Sequence, residues 1–381
     1  MWRSIEIRNF RSLEHVKATL APFTVVVGPN SSGKSNFVDA FAFARDIATD
    51  ASHAIQNRGG IASIRRWSPT RSLDITIDVR VAATSAALAE KYERHAFTIA
   101  SRKSGRWVFK NERIEQPTFE FQRDGVEITD LRSAKRRAHT PKAFTLGNLL
   151  ETTSAMSMLP RSSAFADVRT FRLDPAEMRR PHEVTKRTDL DDSGSNIATA
   201  IQSLRTKAGA WSDVMAAMGK IIPGLTRIEE VVSGRFMGFR WFQRRPGNNE
   251  AEFTSTEMSE GALRALAILV AAQQLRPHEL LILEEPEVAL HPGAAGVLFD
   301  AIKAASRHGS VLITTHSPEL LDAARDEEIL VCDYRKGVTE VGPLDKGQRK
   351  LVRDGLFSIS EIMRAEPLRI DGKRPLLVGE E

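Results

Sequence analysis

Phe23-Thr-Val-Val-Val27 runs directly into Gly28-Pro-Asn-Ser-Ser-Gly-Lys-Ser35, and this junction decides the fold. A pentapeptide that is apolar but for Thr24 is the pattern of a strand covered on both faces. The octapeptide after it fits G-x-x-x-x-G-K-[ST], and the apolar positions Phe37, Phe41, Ala44 and Ile47 that follow fall close to one helical face. Strand, glycine-rich turn and helix in that order are the context a phosphate-binding P-loop requires. The glycines allow a tight turn whose backbone N–H groups face inward around a phosphate, and the helix N-terminus adds a favourable dipole. Gly28, Pro29, Asn30, Ser31, Ser32, Gly33, Lys34, Ser35 and Asn36 are therefore the candidate nucleotide-binding set. In it Lys34 reaches the β- and γ-phosphates and the Ser35 hydroxyl ligates Mg²⁺.

Two later segments repeat the theme of an aliphatic strand that ends in polar residues. In Leu280-Leu-Ile-Leu-Glu-Glu-Pro-Glu287 a buried strand delivers carboxylates to its C-terminal edge, where ligands bind in such sheets. Glu284 is the candidate to hold Mg²⁺, through water, and Glu285 the candidate general base that polarises the attacking water. Many strands end in acidic loops without consequence; the neighbouring P-loop gives these acids their weight. In Val311-Leu-Ile-Thr-Thr-His-Ser317 the candidate is His316, to bond the γ-phosphate or orient the water. A strand-end histidine is ordinarily a satisfied surface or core residue, but its place in the strand after Glu285 favours the functional reading.

Working outward, strands are expected at Ser4–Phe10, Leu73–Val81, His95–Ala100, Arg106–Phe109 and Thr118–Gln122, and a strand-like stretch at Arg227–Phe242. Residues 145–222 read as mainly helical, for example Asn196–Leu204 and Trp211–Ile222, with a polar break at Asp189-Leu-Asp-Asp-Ser-Gly194. Helices at Ala262–Leu275 and 293–306 and a strand at Ile329–Val331 complete an α/β pattern. The chain has 381 residues, 41% hydrophobic and 27% charged, an ordinary globular balance that excludes disordered, collagenous and coiled-coil chains. Its longest apolar run, Ala265 to Ala272, is far short of the ~20 residues that span a bilayer. No secretory leader opens it, and a single cysteine, Cys332, suits a reducing compartment; a soluble cytoplasmic protein is the expectation. The net charge of +5 is concentrated in residues 101–142, which hold eleven Lys/Arg against six Asp/Glu. Such a run is ordinarily a solvated face, and contact with a nucleic-acid backbone is the other reading. The best basic clusters are Arg65-Arg-Trp67 and Arg132, Lys135, Arg136 and Arg137.

With these segments in order, the sequence resembles an ABC-type ATPase head. More narrowly it is similar to the RecF/SMC-like group that contains the OLD (overcoming lysogenization defect) ATPases and their stand-alone relatives in bacterial defence. The resemblance rests on the P-loop, the two aliphatic strands, Arg8-Asn-Phe-Arg-Ser12, Ser193-Gly-Ser-Asn196, Ile222-Pro-Gly224, Met258-Ser-Glu-Gly-Ala-Leu-Arg264 as the signature segment and Leu290-His-Pro292 as the D-loop. It implies a mixed sheet flanked by helices, built from residues 1–60 and 250–381, with an antiparallel β lobe and a helical lid inserted at 61–249. It further implies a homodimer that sandwiches ATP and Mg²⁺ between the P-loop of one chain and Ser259 and Gly261 of the other. Arg11 matches a position that approaches the nucleotide, and Gln56 is the guess for the Q-loop.

Departures from the family bound the function. Residues 36–258 show no sustained heptads, so long coiled-coil arms are not expected. The signature reads Ser-Glu-Gly-Ala where many transporters have Ser-Gly-Gly-Gln. Pro375–Glu381 faintly resembles the first strand of the metal-nuclease domain of OLD proteins, but no Asp-x-Asp follows in this sequence. No His-Glu-x-x-His or Gly-x-Ser-x-Gly is present. Three roles fit: an ATP-hydrolysing switch that regulates a separate nuclease or toxin in anti-phage defence, a RecF-like DNA-repair ATPase, and a nucleotide-dependent interaction scaffold.

Overall fold

The structure is a computed structural model that describes residues 1–82, 92–102, 105–117, 120–125, 127–130, 143–145, 151–158, 167–207, 209–247 and 249–373. The strand predicted at Phe23–Val27 is β3, and the strands around it are β1 (Trp2–Phe10), β2 (Leu13–Thr19), β4 (Ile75–Ala82), β5 (Tyr92–Ser101), β6 (Trp107–Glu115), β7 (Glu120–Asp124), β8 (Glu127–Asp130) and β9 (Ala143–Thr145). Later in the chain come β10 (Val168–Thr170), β11 (His182–Glu183), β12 (Leu225–Ser233), β13 (Phe236–Arg244), β14 (Glu250–Thr254), β15 (Leu280–Glu284), β16 (Ser310–Thr315), β17 (Ile329–Arg335) and β18 (Val338–Pro343). Among the described residues, one sheet runs in the order β10-β15-β16-β3-β17-β18-β2-β1-β4-β5-β6-β7-β8-β9. Its β10-β15-β16-β3-β17 portion is parallel and the strands from β2 onward are antiparallel. The result is the expected mixed α/β sheet flanked by helices.

β3 is buried throughout because both of its faces are covered, and its one polar side chain, Thr24, donates to the Ala21 carbonyl. Phe23, Val25 and Val27 enter one core with Leu266 and Phe299. Val26 enters the other with Phe37, Phe41 and Phe43 from α1 (Lys34–Thr49). On the first side lie α2 (Ile197–Arg205), α3 (Ala210–Ile221), α4 (Glu260–Gln273) and α5 (Pro292–Ala305). α4 is buried around almost its whole circumference, as its predominantly apolar sequence requires. A second, four-stranded sheet of β11, β12, β13 and β14 packs there too.

Two expectations are corrected. Residues 167–196 are not mainly helical: they hold β10, a single short helix Pro175–Met178, β11 and irregular backbone. Arg227–Phe242 is not one strand but the β12–β13 hairpin, turned where Ser233 pairs with Phe236. The segment 61–249 contributes β4 to β9 to the large sheet, returns β10 to the edge beside β15, and forms the second sheet with α2 and α3. The basic residues Arg132, Lys135, Arg136 and Arg137 and the segment Pro375–Glu381 lie outside the described residues. No helix among the described residues is long and apolar enough to cross a membrane.

Candidate functional site

The site is assembled at the C-terminal ends of the parallel strands. β3 delivers the turn Gly28–Gly33, in which Ser31 has φ 63° and Gly33 has φ 100°, a left-handed conformation that glycine adopts without strain. Space demands glycine as well. A Cβ on Gly33 would lie 2.1 Å from Thr339 Oγ1, and one on Gly28 would lie 2.1 Å from the Cys332 carbonyl oxygen. The β17–β18 hairpin therefore presses the turn into shape from behind.

A chain of hydrogen bonds fixes this contact. Asn36 Nδ2 donates to Ser12 Oγ at 2.7 Å, Ser12 and Thr339 hydroxyls are 2.7 Å apart, and Thr339 Oγ1 donates to the Ser32 carbonyl at 2.9 Å. Because Thr339 has one proton and gives it to Ser32, Ser12 must donate to Thr339. The turn after β1, the P-loop, the first turn of α1 and β18 are thus one unit.

Inside the turn, buried Lys34 donates from Nζ to the carbonyls of Gly28 at 2.8 Å and Pro29 at 2.9 Å. The first intrahelical bond of α1 runs from Phe37 N to Gly33 O at 3.0 Å, so the N–H groups of Lys34, Ser35 and Asn36 precede any helical acceptor. Ser32 Oγ is buried and has no hydrogen-bond partner among the described residues. Orphaned donors, a helix N-terminus and a lysine within one turn fit a phosphate chain.

β15 ends at Glu284, whose Oε2 accepts the Ser35 hydroxyl at 2.6 Å. Among the described residues no three or more His, Cys, Asp or Glu are grouped to hold a metal. One hydroxyl and one carboxylate are the protein share that suits Mg²⁺, which keeps several waters and draws further oxygens from phosphates. Glu285 follows with φ 46°, and its N–H donates to Thr314 O at 2.9 Å and Thr314 Oγ1 at 3.3 Å. Its Oε1 lies 3.2 Å from His316 Nδ1. Thr315 Oγ1 donates to Glu287 Oε1 at 2.5 Å and accepts from Ser317 N at 3.0 Å. Burial pushes the Glu287 carboxyl above its ordinary range, the Thr315 hydrogen bond opposing it. The candidate base and the histidine are thereby clamped together across two adjacent strands.

The remaining predicted residues stand apart from this group or beside it. Arg11, at φ 50°, pairs through Nη2 with Asp39 at 2.7 Å, and Asp39 is shared with Arg58 at 2.9 Å. Arg11, Ser35, Asn36, Asp39 and Glu284 border one cleft of about 150 Å³. Thr170 and Arg172, at and just beyond the end of β10, border it too; neither is legible in the sequence because a three-residue strand carries no period. Gln56 does not border that cleft. Ser259 caps α4, accepting from Ala262 N at 3.3 Å, and Gly261 packs so closely on the loop between β15 and α5 that a Cβ would lie 2.1 Å from Ala289 O. Neither borders the Ser35–Glu284 cleft of its own chain. The sequence gives no sign of Thr339, nor of the place of Ser12 and Cys332 beside it, since only the fold brings them behind the P-loop.

With this geometry in view, comparisons with known proteins become informative. Residues 23–322 match the family described as "AAA domain, putative AbiEii toxin, Type IV TA system". No curated protein matches the chain in sequence. Among solved structures, the chain is similar to an SMC head bound to the C-terminal winged-helix domain of ScpA. The TM-score is 0.59 at 15% identity, covering 92% of this chain and 99% of that one. It is also similar to an SMC head with an extended coiled coil, bound to the C-terminal domain of ScpA derived from Pyrococcus furiosus. There the TM-score is 0.55 at 13% identity, covering 93% and 99%. At such identities the likeness establishes the fold.

Proposed function

We propose, for a chain that belongs to the AAA-domain family of the AbiEii-type proteins, that it is an ATP-hydrolysing switch of the ABC kind. The observation that carries this reading is the alignment of Ser35 with Glu284 at 2.6 Å and of Glu285 with His316 at 3.2 Å, on neighbouring strand ends next to the P-loop. Bound Mg-ATP supplies the anhydride that is cleaved. Lys34 exchanges its two loop carbonyls for phosphate oxygens, and the N–H groups of Lys34, Ser35 and Asn36 hold the phosphate chain. Ser35 and Glu284 would hold Mg²⁺. Glu285 takes the proton of the attacking water, while His316 orients the Glu285 carboxylate.

Ser259 and Gly261 supply the closing contact from a second copy. Ser259 caps a fourteen-residue helix, and its chain-mate cleft does not include it, so an anion site at this helix end suits a nucleotide held by the partner. ATP then favours the pair and hydrolysis loosens it. In the narrower reading the protein is an OLD-like defence ATPase that regulates a separate effector, a nuclease or toxin. The SMC heads it resembles are themselves bound to domains of another protein. The second reading, a RecF-like DNA ATPase, draws on Trp67, which is 79% exposed and flanked by Arg65 and Arg66. The test is an affinity pull-down from the native host with Glu285→Gln protein, ATP and Mg²⁺, against a Lys34→Ala control. An effector protein enriched only with Glu285→Gln supports the switch. Nuclease-sensitive DNA without a stoichiometric protein transfers the reading to the DNA ATPase.

A further inference from the structure

The parallel register of β10 against β15 pairs Val168 with Leu280, Arg169 with Leu281 and Thr170 with Ile282. Arg172 lies two residues beyond the last of these pairs on its side and Glu284 two residues beyond it on the other, and Glu284 is the carboxylate that the Ser35 hydroxyl engages. Arg172 borders the same cleft as Ser35, Glu284, Arg11 and Asp39. Its backbone is anchored, with the N–H donating to Asp192 O at 2.8 Å.

The charges around this cleft are unequally satisfied. Arg11 is neutralised by Asp39 at 2.7 Å, and Asp39 is also held by Arg58. Glu284 accepts the Ser35 hydroxyl. The guanidinium of Arg172 has no ion pair and no hydrogen bond among the described residues, and the residue is exposed at the cleft. An unpaired arginine beside a hydroxyl–carboxylate pair suited to Mg²⁺ has an evident chemical partner, a phosphate oxygen, which its planar fork meets with two parallel hydrogen bonds.

We propose that Arg172 contacts the terminal phosphate of the nucleotide bound to its own chain, and so distinguishes a triphosphate from a diphosphate. The inference rests on the nucleotide reading above and adds to it a residue just beyond a strand that carries none of the P-loop, acidic or histidine segments. Arg172 reports the state of the phosphate to the loop that continues to Asp192, since its own backbone N–H is bonded there.

The test is equilibrium titration of wild-type, Arg172→Ala and Arg172→Lys proteins with a non-hydrolysable ATP analogue and with ADP, each with Mg²⁺. Arg172→Ala should weaken the analogue about tenfold or more and ADP less than about twofold, as loss of a charge-assisted hydrogen bond predicts. Arg172→Lys, which keeps charge but not the fork, should fall between. A purely structural role would weaken both nucleotides alike, and that result, or no change in either, would overturn the assignment to Arg172. Wild-type protein that binds neither nucleotide would instead overturn the nucleotide reading itself, and the inference with it.

Discussion

His316 Nδ1 stands 3.2 Å from Glu285 Oε1, joining the loop after β15 to the end of β16. The Glu285 backbone, held at φ 46° and bonded to Thr314, places that carboxylate, and the histidine restrains its rotation. His316→Ala should therefore lower kcat about ten- to hundredfold while leaving ATP affinity within about twofold. Glu285→Gln, which removes the base, should cost about 10²–10⁴. Steady-state phosphate release and nucleotide titration on the same preparations check both. A His316→Ala variant with unchanged kcat would remove the histidine from the machinery.

The P-loop depends on a residue far from it in sequence. Thr339→Val keeps the shape of the side chain but leaves the Ser32 carbonyl and the Ser12 hydroxyl without their partner. Leaving buried polar groups unmatched costs about 1–3 kcal/mol. Urea unfolding should register that loss, and nucleotide affinity should fall with it because the turn is no longer held. Unfolding midpoints equal to wild type would show that the hairpin does not support the turn.

These residues also mark how much was legible in the sequence. β3 and the Gly28–Ser35 turn could be read because strand, turn and helix are written consecutively, each with its own period. The ends of β15 and β16 were legible for the same reason: both strands are aliphatic runs that stop at polar residues. β2 was not, since its buried positions Leu13, Val16 and Ala18 follow neither alternation nor a helical repeat. β10 is defined by pairing with β15 rather than by its three residues, and 167–196 took its irregular form from bonds such as Arg172 N to Asp192 O. The unit of Ser12, Asn36 and Thr339 arises from sheet order alone, as does the cleft that includes Arg172.

Glu287 gives a pH signature. Burial raises its carboxyl above the ordinary value, so the folded state holds that proton more tightly than the unfolded chain. The associated stability is fully present below the ordinary carboxylate range and is lost as pH rises through the raised value. Relative to Glu287→Gln, wild-type protein should therefore become progressively less stable between about pH 4.5 and the raised value, by at most about 1.4 kcal/mol per pH unit. Urea midpoints of the two proteins across pH 5 to 8 test this. A stability difference that stays constant with pH would contradict it.

Cys332 supplies an independent check on the packing behind the P-loop. Burial pushes its thiol up to about 11, and its carbonyl oxygen is the atom Gly28 abuts. The native protein should react slowly with a thiol reagent at pH 8 and promptly in denaturant, because the thiolate is the nucleophile. Rapid stoichiometric labelling of the native chain would mean that the β17–β18 hairpin does not seal the turn.

The most direct test of the account is multiple-turnover phosphate release from purified wild-type protein with ATP and Mg²⁺, alongside Lys34→Ala and Glu285→Gln. The account predicts sustained turnover by wild type, none by Lys34→Ala for want of bound nucleotide, and turnover lowered about 10²–10⁴-fold in Glu285→Gln although nucleotide remains bound. Turnover by Glu285→Gln at the wild-type rate, or its absence in wild-type protein that binds ATP, would contradict it.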